Sequence, residues 1–189
     1  TPITSAEMLW SGSRNVFVSE DQRLWFERMR DRGWFVPGWP KEYGGGGLDA
    51  KHQRVLEQEM LALGCRQPQY NLGIWMLGPV LLELGSEQQK REHLPPMARG
   101  QIRWCQGFSE PNAGSDLASL RTSAVLDGDE FVVNGQKIWT SYGNVSDWMY
   151  ALVRTDPAAK KQQGISFLLI DMKSPGITVR PIELISGKS

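Results

Sequence analysis

Cysteine and histidine are scarce in this chain, with two of each among 189 residues. Cys65 and Cys105 show no metal-ligand spacing, and His52 and His93 lie far apart in sequence, so a metal centre is not expected. A disulfide scaffold needs a denser cysteine framework in a smaller chain; a reducing compartment fits better. Surplus charge is absent too. The 21 basic residues are matched by 21 acidic ones, which leaves no excess to meet phosphate and excludes a nucleic-acid binder. No apolar run reaches the ~20 residues of a membrane span. The opening TPITSAEMLW has neither the basic region nor the apolar core of a signal peptide. Repeats are lacking, and the one biased tract is Gly44 to Gly47.

What is present is a core-forming composition, 40% hydrophobic with eight tryptophans. Most of the indoles are expected to fill core, with one or two left to stack on a planar ligand. The first half reads helical. Glu20 to Arg32 carries Leu24, Trp25 and Met29 on one face, with Ser19 as N-cap, Gln22 completing a capping box and Gly33 as stop. Ala50 to Leu63 repeats the pattern with Val55, Leu56, Met60, Leu61 and Leu63. Leu72 to Leu84 is apolar nearly all round, as a buried helix would be, with Pro79 as a kink or boundary. Ser86 and Gln89 open a further helix that closes near Gly100.

From Gln101 the pattern changes to short strands. IRWCQGF is followed by TSAVLDGDEFVVNGQKIWTS, a hairpin about Asp127-Gly128. WMYALVRT, GISFLLIDM and GITVRPIEL follow, each bounded by turn residues. The expected fold is α+β and multidomain: an all-α domain over residues 1–102, then a small antiparallel β-barrel or sandwich over 103–189. The last expected strand has no closing partner in this chain, so either another element is expected to cover that edge or more chain is expected to follow.

Two segments hold candidate chemistry. CQGFSEPNAGSD, Cys105 to Asp116, crowds turn-forming residues directly behind a strand. Read alone it is an ordinary turn, or a backbone shaped to hold a polar ligand with Ser109 and Ser115 as hydroxyl donors. QKIWTSYG sets Trp139, Thr140 and Ser141 side by side. In a strand, Trp139 and Ser141 share a face, which suits a planar heterocycle with polar edges or a core Trp beside a strand-end Ser. The tract PKEYGGGGLD matches no phosphate-loop pattern and reads as helix–loop–helix punctuation. YNLGIWMLG suits a core helix better than an acyl cavity.

At these two segments the sequence resembles the acyl-CoA dehydrogenase family. FSEPNAGSD is similar to its flavin loop and VVNGQKIWTSYG to its second signature. LLELGSEQQKREHLPPMARG resembles the helix pair before the first. The resemblance runs from about Trp34 to the end, and the order and spacing make the motifs strong together. It implies FAD against the β domain. Gln106, Phe108 and Ser109 would meet the flavin ring, and Gly114 would allow close approach. Ser115 would sit by the pyrophosphate and the bound thioester. Trp139 and Thr140 would border the ring, and Ser141 would donate toward flavin N5. Asn112 stands where family members often carry Gly.

The implied chemistry is α,β-dehydrogenation of an acyl-CoA, in fatty acid β-oxidation. A carboxylate takes the α-proton, and a hydride passes from the β-carbon to flavin N5. The family carries that carboxylate on a C-terminal helical bundle, and no glutamate here matches its motif, so no catalytic base is assigned. The resemblance also implies an electron-transferring flavoprotein as acceptor. It implies a homo-oligomer, dimer or tetramer, or a completing partner chain. The setting would be cytoplasmic, or the mitochondrial matrix in a eukaryote. A flavin oxidase or monooxygenase on the same scaffold and a flavin-free subunit are the competing readings.

Overall fold

The computed structural model describes residues 12–13, 17, 19–65, 71–185 and 187. Tyr70 and the whole opening TPITSAEMLW stretch lie outside them. The chain divides into two compact units, Thr1–Arg103 and Trp104–Ser189.

The first unit is helical: α1 (Glu20–Asp31), α2 (Ala50–Ala62), α3 (Gly78–Leu84) and α4 (Glu87–Ala98). Ser19 caps α1 by accepting from the Gln22 N–H at 3.2 Å. Ser86 and Gln89 form a complete capping box on α4. Phe26, Met29 and Phe35 make a core cluster against which Trp25, Trp34 and Met60 pack. Of the expected face Met29 is buried, and so is Phe26, which lies between the expected positions. In the glycine tract, the amides of Gly45, Gly46 and Gly47 donate to the carbonyls of Pro40, Val36 and Trp39. Those N–H groups are spent on the loop itself.

Two helices differ from their sequence reading. α2 has no buried residue, and Leu61 and Leu63 are exposed. It is held by its Asp49 cap, whose carboxylate accepts from the His52 N–H at 2.9 Å, and by Met60 alone against the core. The run before α3 starts as a π-turn over Gly73–Leu77. Leu77 and Leu81 are buried, while Trp75 and Met76 face outward. Pro79 marks the boundary, in the first turn of α3, where its missing N–H costs nothing.

Gly78 is a close-approach glycine. A Cβ there would fall inside the buried Trp39 ring. Ala is the better helix former by about 1 kcal/mol, but overpacking typically costs about 1–3 kcal/mol. Gly78→Ala is therefore expected to lower stability on balance, read as a lower urea midpoint at unchanged m-value.

The second unit is a five-stranded sheet of β1 (Trp104–Gly107), β2 (Ser123–Asp127), β3 (Glu130–Asn134), β4 (Trp148–Arg154) and β5 (Ile165–Asp171). The helix-then-sheet order is the expected one; the pairing is mixed. β2–β3 and β4–β5 are antiparallel, whereas β1 and β2 both run parallel to β4, β2 touching it only at Ser123–Arg154. Strand patterns report which residues are extended, not which distant strand they meet. Ala124, Ala151 and Val153 form the core beneath Met149, Leu168 and Ile170. The hairpin leaves Val125, Leu126, Phe131 and Val132 exposed, so both of its faces are apolar and open. The expected strand GITVRPIEL is irregular. Among the described residues it finds no neighbouring strand to bond, and Pro181 removes one donor.

Candidate functional site

β1 delivers the first motif. Gln106 sits opposite Tyr150 on β4. Burial pushes the Tyr150 phenol up to about 12, against the opposing effect of a Gln106 hydrogen bond. The Phe108 ring packs edge-on to Tyr150 at 5.7 Å and to Phe167 at 6.3 Å. Beyond it the chain closes a tight turn: the Glu110 N–H donates to Ala113 O at 2.9 Å, and the Ala113 N–H returns to Glu110 O at 3.0 Å. Asn112 is not among the positive-φ residues, so the turn takes its side chain without strain. The motif's far end is pinned by Arg154, whose guanidinium donates to the carbonyls of Ala118 at 2.7 Å and Lys161 at 2.6 Å.

The second motif is not a strand. β3 ends at Asn134, and Trp139 adopts φ 59° and Tyr142 φ 64°. This left-handed backbone breaks the period of two, so Trp139 and Ser141 do not share a strand face. The segment instead turns back to the first motif. The Ile138 N–H donates to Ser109 O at 2.9 Å. Lys137 Nζ donates to Phe108 O at 3.1 Å and to Glu110 Oε1 at 2.9 Å. Trp139, 65% exposed, is the residue that directly follows this tie to the Phe108–Ser109 backbone.

Of the residues singled out in the sequence, Phe108, Ser109, Trp139 and Thr140 fall at this junction. Ser141 follows at its exposed rim and Gln106 precedes it on β1. Gly114 and Ser115 are exposed beyond the turn. A Cβ on Gly114 would meet nothing within 4 Å, so no protein neighbour requires a glycine there. A hollow of about 270 Å³ lies behind the turn, lined by Pro111, Asn112, Arg121 and Gln136 among others. It includes none of Ser115, Trp139, Thr140 or Ser141.

Glu110 and Lys137 are the functional residues that sequence reasoning passed over. Their side chains are each 9% exposed and joined as an ion pair. The Glu110 carboxylate also accepts from the N–H groups of Arg121 at 2.7 Å and Thr122 at 2.8 Å. Burial opposes its ionisation, but the hydrogen bonds from Thr122, Arg121 and Lys137 outweigh burial and hold its pKa at about 2. Burial also works to lower the Lys137 pKa, against the pull of Glu110. The short contacts to both acceptors are those of a charged ammonium. A carboxylate so fully engaged is a poor proton acceptor at neutral pH. The available signal was a single cation, Lys137, in the second motif and two acids, Glu110 and Asp116, in the first.

An exposed indole and the hydroxyls of Ser109, Thr140 and Ser141 are the residue types that suit a planar heterocycle with polar edges, such as the ring of FAD. Among the described residues no group of three or more potential metal ligands occurs. No described helix is long and apolar enough to cross a membrane.

A helical unit followed by a mixed sheet, with two signature loops tied together at the sheet's edge, is the two-domain pattern of a known dehydrogenase family. Residues 10–101 match "Acyl-CoA dehydrogenase, N-terminal domain" and residues 105–188 match "Acyl-CoA dehydrogenase, middle domain". The chain belongs to the acyl-CoA dehydrogenase family. It is 42% identical over 168 residues to the acyl-CoA dehydrogenase IpdE1 of Mycobacterium tuberculosis, covering 89% of this chain and 44% of that protein. Among solved structures it is similar to the Tcur3481-Tcur3483 steroid ACAD, with TM-score 0.74 and 38% identity over 98% of this chain and 48% of that one. It is also similar to the ChsE4-ChsE5 complex from Mycobacterium tuberculosis, with TM-score 0.72 and 38% identity over 90% of this chain and 46% of that one. The chain spans less than half the length of these relatives.

Proposed function

We propose that this chain forms the flavin-seating portion of an FAD-dependent acyl-CoA dehydrogenase. The observation that carries the reading is the Ile138 N–H to Ser109 O bond, which ties the two motif segments together one residue before the exposed Trp139. FAD, when bound, supplies the hydride acceptor for α,β-dehydrogenation of an acyl-CoA thioester. Trp139 gives the ring a packing face. Ser109, Thr140 and Ser141 offer hydroxyls to its polar edge, and Ser115 offers one to the pyrophosphate and thioester. The backbone of Gln106 and Phe108 runs beside the ring, and Gly114 leaves room for close approach.

Two of the structural relatives carry two-component names, and one of those is a steroid enzyme. We propose accordingly that the chain serves one subunit of a heteromeric enzyme acting on a bulky, steroid-type acyl-CoA. Of the expectations drawn from the motif resemblance, this reading keeps the completing partner chain and departs from the homo-oligomer and from fatty-acid β-oxidation. The exposed apolar hairpin β2–β3, with Leu61, Leu63 and Trp75, supports a chain that is covered in its assembly. Native mass spectrometry of the complete gene product, co-expressed with its gene neighbours, tests this: a single-sequence homotetramer refutes the heteromer.

Trp139→Gly tests the seat. Glycine relieves the left-handed backbone, so stability is expected to hold or rise within about 1 kcal/mol. FAD affinity is expected to fall at least tenfold, because the ring loses its aromatic face. Parental FAD affinity in a fluorescence titration counts against the assignment.

A further inference from the structure

We propose that Glu110 and Lys137 are positioning residues: their buried ion pair latches the two motif loops together and presets the backbone from which Trp139 projects. In its flavin consequence the proposal rests on the reading given above. All the residues concerned belong to the β unit.

The connections of the pair are specific to the two loops. Lys137 Nζ donates to Phe108 O and to Glu110 Oε1, so it grips the first motif on both sides of Ser109. Glu110 carries the tie onward to the N–H groups of Arg121 and Thr122, where β2 is about to begin. The residue after Lys137 is Ile138, whose N–H holds Ser109 O at 2.9 Å. The residue after that is Trp139, a bulky side chain in the left-handed region at φ 59°.

A backbone of that kind persists only where its surroundings over-determine it. The indole does not supply that constraint, because it is 65% exposed. The constraint therefore comes from the backbone on both sides: the Ser141 N–H closes onto Trp139 O at 3.0 Å, and ahead of it Lys137 and Ile138 are tied to the first motif. An ion pair kept only for stability is a poor choice at a buried site, since apolar replacements often serve as well. Here the pair's worth is geometric: it joins one loop to another at defined atoms.

The test uses the complete gene product with Glu110→Gln, Lys137→Met and the double variant. The double variant leaves neither charge buried alone and so separates geometry from a mere loss of folding. Lys137→Arg keeps the cation and serves as the conservative control. Two readouts are taken: amide hydrogen exchange at Ile138 against the β4 amides, and FAD affinity with the visible circular dichroism of the bound flavin.

In Lys137→Met and the double variant, Ile138 exchange is expected to rise at least tenfold while β4 keeps its parental rates. FAD affinity is expected to fall at least tenfold with an altered flavin dichroic spectrum, and Lys137→Arg is expected to recover part of both. Parental Ile138 exchange in the double variant overturns the latch. Loosened Ile138 in variants of a parent that takes up no FAD upholds the latch and removes the flavin reading. A parent that binds FAD, with a double variant of equal affinity and spectrum, removes the positioning role and leaves the flavin reading standing.

Discussion

Glu110→Ala is expected to lower stability by about 3–5 kcal/mol, because it strands the Lys137 ammonium in a buried site. It also removes the acceptor for two backbone N–H groups, those of Arg121 and Thr122. Burial decides the size: an exposed Lys–Glu pair is worth about 0–1 kcal/mol, whereas each side chain here is 9% exposed. The acid dependence follows from the same contacts. The Glu110 pKa is held at about 2, below its ordinary 4.5, so the folded state favours the charged form. Its contribution is fully present above pH 4.5 and is lost as pH falls through the folded value near 2. Urea titrations across that range, parent against Glu110→Gln, are expected to show the stability gap narrowing toward low pH. A gap that stays constant would mean that the carboxylate is not ionised in the folded protein.

Trp104→Ala is the second large effect. Trp104 is fully buried at the start of β1, its ring 5.4 Å from that of Trp148 on β4. Truncating a buried tryptophan costs about 3–5 kcal/mol, part transfer and part cavity. Trp104 and Trp148 are also directly paired in the β1–β4 ladder. Loss of the indole is therefore expected to loosen the parallel pairing that launches the first motif. Chemical denaturation reads the loss, and near-ultraviolet circular dichroism reads the altered aromatic packing. The contrast with Trp139 is the informative part. One tryptophan is expected to matter for stability and the other for flavin retention, and a swap of those outcomes would reverse their roles.

The exposed apolar surfaces have a practical consequence. The β2–β3 hairpin shows Val125 and Val132 on one face and Leu126 and Phe131 on the other. A hairpin with two apolar faces is half-satisfied, because a sheet face of this kind normally packs on something.

Local rules settled much of this molecule. Ser19 and Ser86 placed two helix starts, because a side-chain oxygen facing an N–H three residues on is a short-range event. The Asp127-Gly128 signal found the hairpin to within one residue: Asp127 ends β2 and the two-residue turn is Gly128-Asp129. The motif order from Phe108 to Gly143 was enough to identify the family.

The tertiary structure decided what depends on distant partners. It chose parallel neighbours for β4, left α2 without a buried residue, and ended β3 before Trp139 could share a face with Ser141. It also brought Glu110 to Lys137. A charge in a loop has no periodicity, and its partner is known only once the chain has folded back. Periodic patterns and caps are written in neighbouring residues; pairing between loops is written in the whole fold.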